Sequence, residues 1–176
     1  MLQLHKPGSR GLADRRLQER LQPSLLDRLT DDDPGSGKEV RDERAIDTRR
    51  LKEILQRDLS WLLNTSNMGN ALDAERYPWA ARSVLNYGVD VVEGSFASED
   101  RAVLIKEAIE RAIIHYEPRI SKQNLRVVLR SEENARETII SFDIRADMWA
   151  KPIPQNLYLR SEVDLITGAL ELTSTG

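Results

Sequence analysis

The sequence predicts an α+β domain in which two main helices pack on one face of a small, mainly antiparallel sheet. Two observations support this prediction. Up to about residue 116, apolar residues recur with helical spacing, and after Pro118 they alternate with polar residues. Helices followed by a run of strands are typical of an α+β architecture. The chain has 176 residues, of which 40% are hydrophobic, and this is enough for one core.

Residues 1–45 are predicted to form a flexible N-terminal arm with short helices. Ser24 can cap a helical turn that places three leucines on one side, namely Leu25, Leu26 and Leu29. The following acidic and glycine-containing segment, residues 30–37, is interpreted as a linker. It resembles a phosphate-binding loop only superficially, because Asp32 and Glu39 stand where that loop requires Gly and Ser or Thr.

A single compact domain is predicted over residues 46–172, with a tail at residues 173–176. Its first main helix begins near Thr48 and ends near Asn64, and its apolar stripe is Leu51, Ile54, Leu55, Leu59, Leu62 and Leu63. Residues 65–82 are expected to be mostly irregular, and residues 83–88 to form a short buried segment. The second main helix begins at a Ser98 cap with Glu99 and Asp100 in its first turn, and it ends before Pro118.

The strands are predicted where the apolar period becomes two. The expected strands centre on Val127, on residues 138–145, on residues 157–165 and on residues 169–172. The last two would form a hairpin at the edge of the sheet, with Thr167-Gly168 in the turn. An exposed edge can accept a strand from another chain, whereas an ordinary edge strand would be protected by its charges.

Composition excludes several functional classes. The chain has no Cys and only two His, His5 and His115, so neither a disulfide framework nor a metal site is expected. Its formal charge of −3 argues against generic nucleic-acid binding. No apolar run is long enough to span a bilayer, and the N-terminus has no secretory signal. We therefore expect a cytoplasmic protein without cofactors and without direct membrane insertion.

One charged corner stands out, at Glu117-Pro118-Arg119. Pro118 fixes the backbone where the long helix ends, so two opposite charges are held at a rigid position. Arg119 would keep Glu117 ionised, which suits docking better than proton donation. Arg119 could offer a bidentate fork to a partner carboxylate, although a plain helix stop with solvated charges explains the tripeptide equally well. His115 beside it is interpreted as a surface histidine.

Four motifs occur in an order that resembles the TssE family of type VI secretion baseplate subunits. That family belongs to the small wedge proteins of contractile-phage baseplates and has in places been labelled lysozyme-like. The motifs are Leu62-Leu63-Asn64-Thr65, Ser83-Val84-Leu85-Asn86-Tyr87-Gly88, Glu117-Pro118-Arg119 and Val163-Asp164-Leu165-Ile166-Thr167-Gly168. The resemblance covers about residues 46–172. Ser66 and Asn67 depart from it, because the family has two Arg there, and the usual Pro-Asp after the Tyr-Gly motif is also missing.

The resemblance implies a structural and non-enzymatic role in a secretion baseplate. It implies a wedge with TssF and TssG, an indirect link to TssK, and a sheath of TssB and TssC whose first ring the subunit templates. The implied contacts are the corner at Glu117, Pro118 and Arg119, the arm leucines, and the C-terminal strands, here Leu157, Leu159, Val163 and Leu165. The alternative is a lysozyme-like peptidoglycan hydrolase, although no carboxylate pair stands out as its acid and base.

Overall fold

The computed structural model describes residues 24–30, 35, 48–90, 98–130, 138–148 and 154–174. The helices are α1 (Leu25–Leu29), α2 (Thr48–Leu63), α3 (Pro78–Ala81) and α4 (Ser98–Tyr116), with 3-10 turns at Gly69–Ala71 and Val84–Asn86. The strands are β1 (Arg126–Arg130), β2 (Ile139–Met148), β3 (Gln155–Asp164) and β4 (Leu170–Ser174). The predicted α+β class is confirmed.

The four strands form one antiparallel sheet in the order β1-β2-β3-β4. The β3 strand therefore lies inside the sheet, and β1 and β4 are its edges. The β2 strand extends three residues beyond the prediction, to Met148, because Ala146 and Met148 continue the buried alternation. Leu165 was predicted to lie in β3, but it lies in the turn that follows.

Helix α2 has the buried face that the sequence predicts, and all six residues of its apolar stripe are buried. Five of these side chains, all except Ile54, form one core with Ile109, Ala112 and Ile113 of α4 and with alternate residues of the strands. In β2 and β3 the buried positions include Phe142, Ile144, Leu157 and Leu159. Burial of this apolar area is the main source of the domain's stability.

The segment between α2 and α4 returns to the end of α2 through a short backbone contact. Val89 donates to the carbonyl of Thr65 at 2.7 Å, and Asn67 donates to the carbonyl of Val89 at 3.1 Å. Gly88 precedes this contact with φ of +124°, and a Cβ there would lie 2.2 Å from the Thr65 carbonyl oxygen. Only glycine fits, because both the backbone angle and the space exclude a side chain.

The prediction that residues 83–88 form a buried segment is wrong for its two aliphatic residues. Val84 and Leu85 are 80% and 71% exposed. The anchors of the segment are instead Tyr87, which packs against the core, and Gly88, which is buried. The 3-10 turn Val84–Asn86 explains the difference, because it directs Val84 and Leu85 away from the core.

Several predictions fall outside the described residues. Most of the arm and the linker, apart from residues 24–30 and 35, lie there, as do the side chains of Ser98, Glu99 and Asp100. The arm's flexibility and the domain boundary near residue 46 therefore stay predictions.

A candidate docking corner at the end of helix α4

The corner forms where α4 stops and the chain turns toward the sheet. The last helical hydrogen bond runs from the Glu117 amide to the Ile113 carbonyl at 3.0 Å. The Ile120 amide then donates to the Glu117 carbonyl at 3.2 Å, which closes a tight turn around Pro118. Pro118 has no amide hydrogen to continue the helix, so the turn is fixed by the sequence.

Glu117 and Arg119 face each other inside this turn. The Glu117 side chain is buried, and its residue is only 5% exposed. Arg119 donates from Nε to Oε1 at 2.7 Å and from Nη2 to Oε2 at 2.5 Å, and its backbone amide donates to Oε1 at 3.0 Å. A buried carboxylate is retained at low cost only when such a fork satisfies it.

Asp58 of α2 extends the pair across the molecule. Its Oδ2 accepts a hydrogen bond from Arg119 Nη2 at 2.7 Å, so the corner is joined to the middle of α2. The sequence contains a signal for this contact. Asp58 follows Leu51 by seven positions and Leu55 by three, and therefore lies on the apolar stripe, where a charge requires a partner. The sequence reasoning missed it.

Arg57 carries the network on to the N-terminal arm. It donates from Nε and Nη2 to Asp58 Oδ1 at 3.0 and 2.7 Å, and from Nη1 to Asp27 Oδ1 at 2.6 Å. Asp27 is also hydrogen-bonded to Ser24, the predicted cap of α1. The Arg57 guanidinium lies 4.8 Å from the ring centre of Trp61, a cation–π geometry. Five charged residues thus connect the corner, α2 and the arm.

The shifts in pKa follow from these contacts. Burial works against the charge of Arg119, but hydrogen bonds and the charges of Glu117 and Asp58 outweigh it, and its pKa lies above the usual value. Burial would raise the pKa of Asp27, but hydrogen bonds from Arg57 and Ser24 bring it below the usual value. The hydrogen bond to Asp27 raises the pKa of Arg57, against a smaller effect of burial. Arg119, Arg57 and Asp27 are therefore charged at neutral pH.

This geometry changes the interpretation of the predicted fork. Two of the three guanidinium nitrogens of Arg119, Nε and Nη2, donate to Glu117 and Asp58 within the chain, so the corner is first a structural joint. What it presents outward is the exposed Pro118 ring and the partly exposed edge of Arg119. Such a rigid surface costs little conformational entropy when a partner binds it.

The other predicted contact residues lie in two different environments. In α1, Leu25 and Leu29 are 70% and 75% exposed and Leu26 is also exposed, so the arm presents its leucines outward. In the strands, Leu157, Leu159 and Val163 are buried in the core, and Leu165 is half-buried. Strand contact with a partner would therefore have to use backbone groups.

The backbone edge of β4 is covered by helix α2. Asn64 bonds both backbone groups of Leu170, accepting from its amide at 2.9 Å and donating to its carbonyl at 2.7 Å. Gln56 donates to the carbonyl of Leu172 at 2.9 Å. Side chains thus take the place of a fifth strand, which is one way that proteins protect a sheet edge. The sequence predicted only that the first main helix ends near Asn64.

These features define an α+β domain whose principal polar site, within the described residues, is a network of ion pairs. None of the helices in the described ranges could cross a lipid bilayer, because they are too short or too polar. The family model described as baseplate wedge protein gp25 matches residues 49–153. This is more than half of the chain, and the chain therefore belongs to that family. No curated protein and no solved structure matches the chain.

Membership in this family indicates a structural role of the phage-baseplate kind and contact with other baseplate components. It also agrees with the motif resemblance, since the matched residues contain the corner and the segment around Gly88. Ser66 and Asn67, at the positions where the resemblance implies two Arg, make local contacts here. Ser66 forms a parallel bridge with Val89, and Asn67 bonds Asp90 and the amide of Gly69.

Proposed function

We propose that the chain is the baseplate subunit of a type VI secretion system that joins the TssF–TssG wedge and starts the TssB–TssC sheath. The observation that carries this proposal is the intact Glu117-Pro118-Arg119 corner, built as a rigid joint within a chain of the wedge family. The subunit acts in the cytoplasm at the base of the apparatus, and TssK is linked to it indirectly through the wedge.

The corner suits a docking role because its shape is fixed before binding. Two internal partners hold Arg119, and Pro118 lies exposed at the apex of the turn. A helix bundle of the wedge would pack on Pro118 and on the exposed edge of Arg119. Because this surface is already ordered, binding would cost little conformational entropy, and more of the interaction free energy would appear as affinity.

The arm provides a second contact that is linked to the first. The Asp27–Arg57 ion pair anchors α1 to α2, while Leu25, Leu26 and Leu29 stay exposed. Three leucines on one short helix are a typical anchor for a groove on a neighbouring subunit. The leucines of the arm would therefore bind a neighbouring subunit, while Asp27 keeps the arm attached to Arg57 of its own domain.

The sheath contact is proposed for the backbone of β4. A sheath strand can add there only if Asn64 and Gln56 release the groups that they now occupy at Leu170 and Leu172. This requirement keeps the edge closed in the free subunit and makes strand addition conditional on a partner. Such protection is expected for an edge that must not pair prematurely.

The proposal is tested by reconstitution. The full-length chain is mixed with purified TssF–TssG complex and, separately, with the TssB–TssC pair, and complexes are detected by size-exclusion chromatography. We expect co-elution with TssF–TssG. Failure to co-elute with TssF–TssG would overturn the proposal, whereas the free subunit is not expected to bind TssB–TssC because its β4 edge is covered.

The strand contact has its own variant, Leu172→Pro. Because the Leu172 carbonyl faces α2, its amide points to the same outer side, and Pro removes that donor while leaving the pairing with β3. We expect folded Leu172→Pro to prevent sheath initiation in cells, and Leu172→Val, which keeps the amide, to support it. Normal sheath growth with folded Leu172→Pro would contradict the template role.

A non-enzymatic role is part of the proposal. Both Glu117 oxygens accept hydrogen bonds from Arg119, so this carboxyl is poorly placed to donate a proton to a glycosidic oxygen. We expect no turnover of purified peptidoglycan at high protein concentration. Turnover that disappears in Glu117→Gln would support the lysozyme-like alternative instead.

A further inference from the structure

The two edges of the sheet differ in how their backbone groups are covered. On β4, side chains of α2 bond the backbone groups of Leu170 and Leu172. On β1, the Val127 amide points away from β2, because it donates to Glu110 Oε1 of α4 at 3.4 Å. In an antiparallel strand, alternate residues direct both backbone groups to the same side, so the amide and the carbonyl of Leu129 also point outward.

The outward side of β1 is covered only at its beginning by residues that the structure describes. Arg126 Nη1 donates to the carbonyl of Leu125 at 2.7 Å, and the contact of Glu110 with the next outward amide is long. Among the described residues, the amide and carbonyl of Leu129 and the carbonyl of Val127 have no hydrogen-bond partner. These backbone groups are therefore available to an added strand.

Apolar side chains are exposed on both faces of β1 beside these groups. Val128 is 48% exposed on the face that points away from the core. Leu129 is 47% exposed on the opposite face, where its neighbour Val127 is buried in the core. The strand contains no proline, and its register with β2 is continuous, without a bulge. An apolar edge without these protective features is a template for pairing with another chain.

The charges at the ends of β1 argue against a second copy of this chain as the partner. In the two-fold pairing that uses all the free groups of both strands, Val127 of each copy would lie opposite Leu129 of the other. Arg126 would then lie opposite Arg130 at both ends of the pairing. Like charges that lie directly opposite each other destabilise a sheet, so the two arginines oppose self-pairing.

Arg126 also indicates what kind of strand fits this edge. The two carboxylates that lie diagonal to it on β2, Asp143 and Asp147, have other partners. Asp143 is paired with Arg145 at 3.5 Å. Asp147 accepts a hydrogen bond from Asn124 at 2.6 Å. The remaining carboxylates of this face lie on β3 and β4, farther from the edge. A strand with a carboxylate opposite Arg126 would therefore place a counter-charge beside it.

We propose that the free edge of β1 binds an extended segment of another protein by strand addition, with a carboxylate opposite Arg126 and an apolar residue opposite Leu129. The backbone supplies the hydrogen bonds, and the alternating side chains supply the specificity. The segment Glu-Val-Val-Thr-Glu fits in the antiparallel direction, with its valines opposite Leu129 and Val128 and its last Glu opposite Arg126. This edge is separate from the corner, the arm and β4, so the inference does not rest on the function proposed above.

The test titrates the full-length chain with the capped peptide Glu-Val-Val-Thr-Glu and follows amide chemical shifts. We expect the shifts to be concentrated on β1, with the Leu129 amide among the largest. The control peptide is N-methylated at its first Val, so it keeps every side chain but cannot donate to the Leu129 carbonyl. It should bind at least about tenfold more weakly. Equal binding of the two peptides, or shifts on β4 instead of β1, would overturn the proposal.

A pair of variants tests the same contact from the side of the protein. Leu129→Pro removes an amide that the pairing with β2 does not use, whereas Leu129→Val keeps it. The peptide should bind Leu129→Pro at least about tenfold more weakly than the wild type, and Leu129→Val within about twofold. Circular dichroism establishes that each variant is folded, and the methylated peptide decides the question if Leu129→Pro is unfolded. Equal binding by folded Leu129→Pro and the wild type would refute strand addition.

Two further measurements test the choice of partner. Arg126→Glu should prefer a peptide whose last Glu is replaced by Lys, whereas the wild type should prefer the original peptide, and an unchanged preference would overturn the charge match. Analytical ultracentrifugation should show a monomer at the concentrations of the titration. A dimer that disappears in Leu129→Pro would show that a second copy occupies this edge, and it would refute a segment of another protein as the partner.

Discussion

At the scale of single residues, the corner depends on one buried carboxylate. Glu117 is satisfied by three hydrogen bonds from Arg119, and that side chain also reaches Asp58 on another helix. A buried ion pair adds little net stability when intact, but loss of one partner leaves the other charge without compensation. Substitutions of the exposed residues of the corner should therefore destabilise the domain less than loss of either Glu117 or Arg119.

Arg119→Ala is expected to destabilise the domain by about 3 kcal/mol, near the lower end of the range for a broken buried pair because Arg119 is partly exposed. Chemical denaturation measures the change. Arg111→Ala is the matched control, since Arg111 forms an exposed pair with Asp90 at 3.2 Å and should cost less than about 1 kcal/mol. Similar losses in both variants would show that the corner is not a structural joint.

The Asp27–Arg57 pair predicts a pH dependence of arm docking. The pKa of Asp27 is lowered in the folded state. The stability that the Asp27–Arg57 pair gives to the docked arm is therefore complete above the ordinary pKa of 3.8, and it is lost as pH falls through the folded pKa. Amide shifts of residues 25–29 should therefore be constant from pH 7 to pH 5 and change below about pH 4. Asp27→Asn should show the undocked shifts at pH 7. An arm that detaches near pH 6 would contradict this assignment.

The sequence predicted these residues only in part. The Glu117-Pro118-Arg119 corner could be identified because a proline fixed two charges at a helix end. Its internal partner Asp58 was missed although it interrupts an apolar stripe, which is itself a signal of a buried charge. Asp27 and Arg57 carry no comparable signal, because their contact joins segments 30 positions apart and depends on tertiary packing.

At the scale of elements, the segment after α2 is held by a glycine contact. Gly88→Ala would place a Cβ 2.2 Å from the Thr65 carbonyl oxygen and should destabilise the domain by about 3 kcal/mol or more, since two backbone segments would have to separate. Thermal unfolding measures the loss.

Gly168→Ala is the control for the backbone angle alone. Gly168 has φ of +72° with no atom near the added Cβ, so its substitution should cost only about 1–2 kcal/mol. If the two alanine variants lost equal stability, the close approach at Gly88 would not be the reason for its glycine.

The covered edge of β4 makes a second prediction at this scale. Asn64→Ala removes the side chain that bonds both backbone groups of Leu170 and should cost about 1–3 kcal/mol. It should also open the edge, so that the chain self-associates at concentrations where the wild type does not, as measured by light scattering. Asn124→Ala is the control, because the described hydrogen bond of the Asn124 side chain is to the side chain of Asp147 and not to a strand backbone. A monomeric Asn64→Ala would show that the edge needs no cover.

The elements themselves were largely predictable from periodicity. The α2 stripe matched residue by residue, and the four strands followed from alternation, with ends displaced by a few residues. The turn at Val84–Asn86 was not predictable, because a short apolar run is compatible with either a buried or an exposed position. The order of the strands, and hence the interior place of β3, also depended on tertiary pairing that alternation does not encode.

At the scale of the whole molecule, the proposed contacts are distributed over separate surfaces around one core. The corner and the arm are joined by a continuous ion-pair network, and the β4 edge is closed by α2. This arrangement fits a subunit that meets several neighbours at once, as expected for a member of the baseplate wedge family.

The central claim is that the corner docks to the wedge, and the most direct measurement is the affinity of the full-length chain for the TssF–TssG complex. Pro118→Glu places a charge at the exposed apex and also releases the backbone that Pro118 fixes, Pro118→Ala controls for that release, and Gln123→Glu adds the same charge at an exposed position five residues away. We predict that the wild type and Gln123→Glu bind equally, and that Pro118→Glu binds at least tenfold more weakly than both the wild type and Pro118→Ala while remaining folded. Equal binding by Pro118→Glu and the wild type would contradict the account.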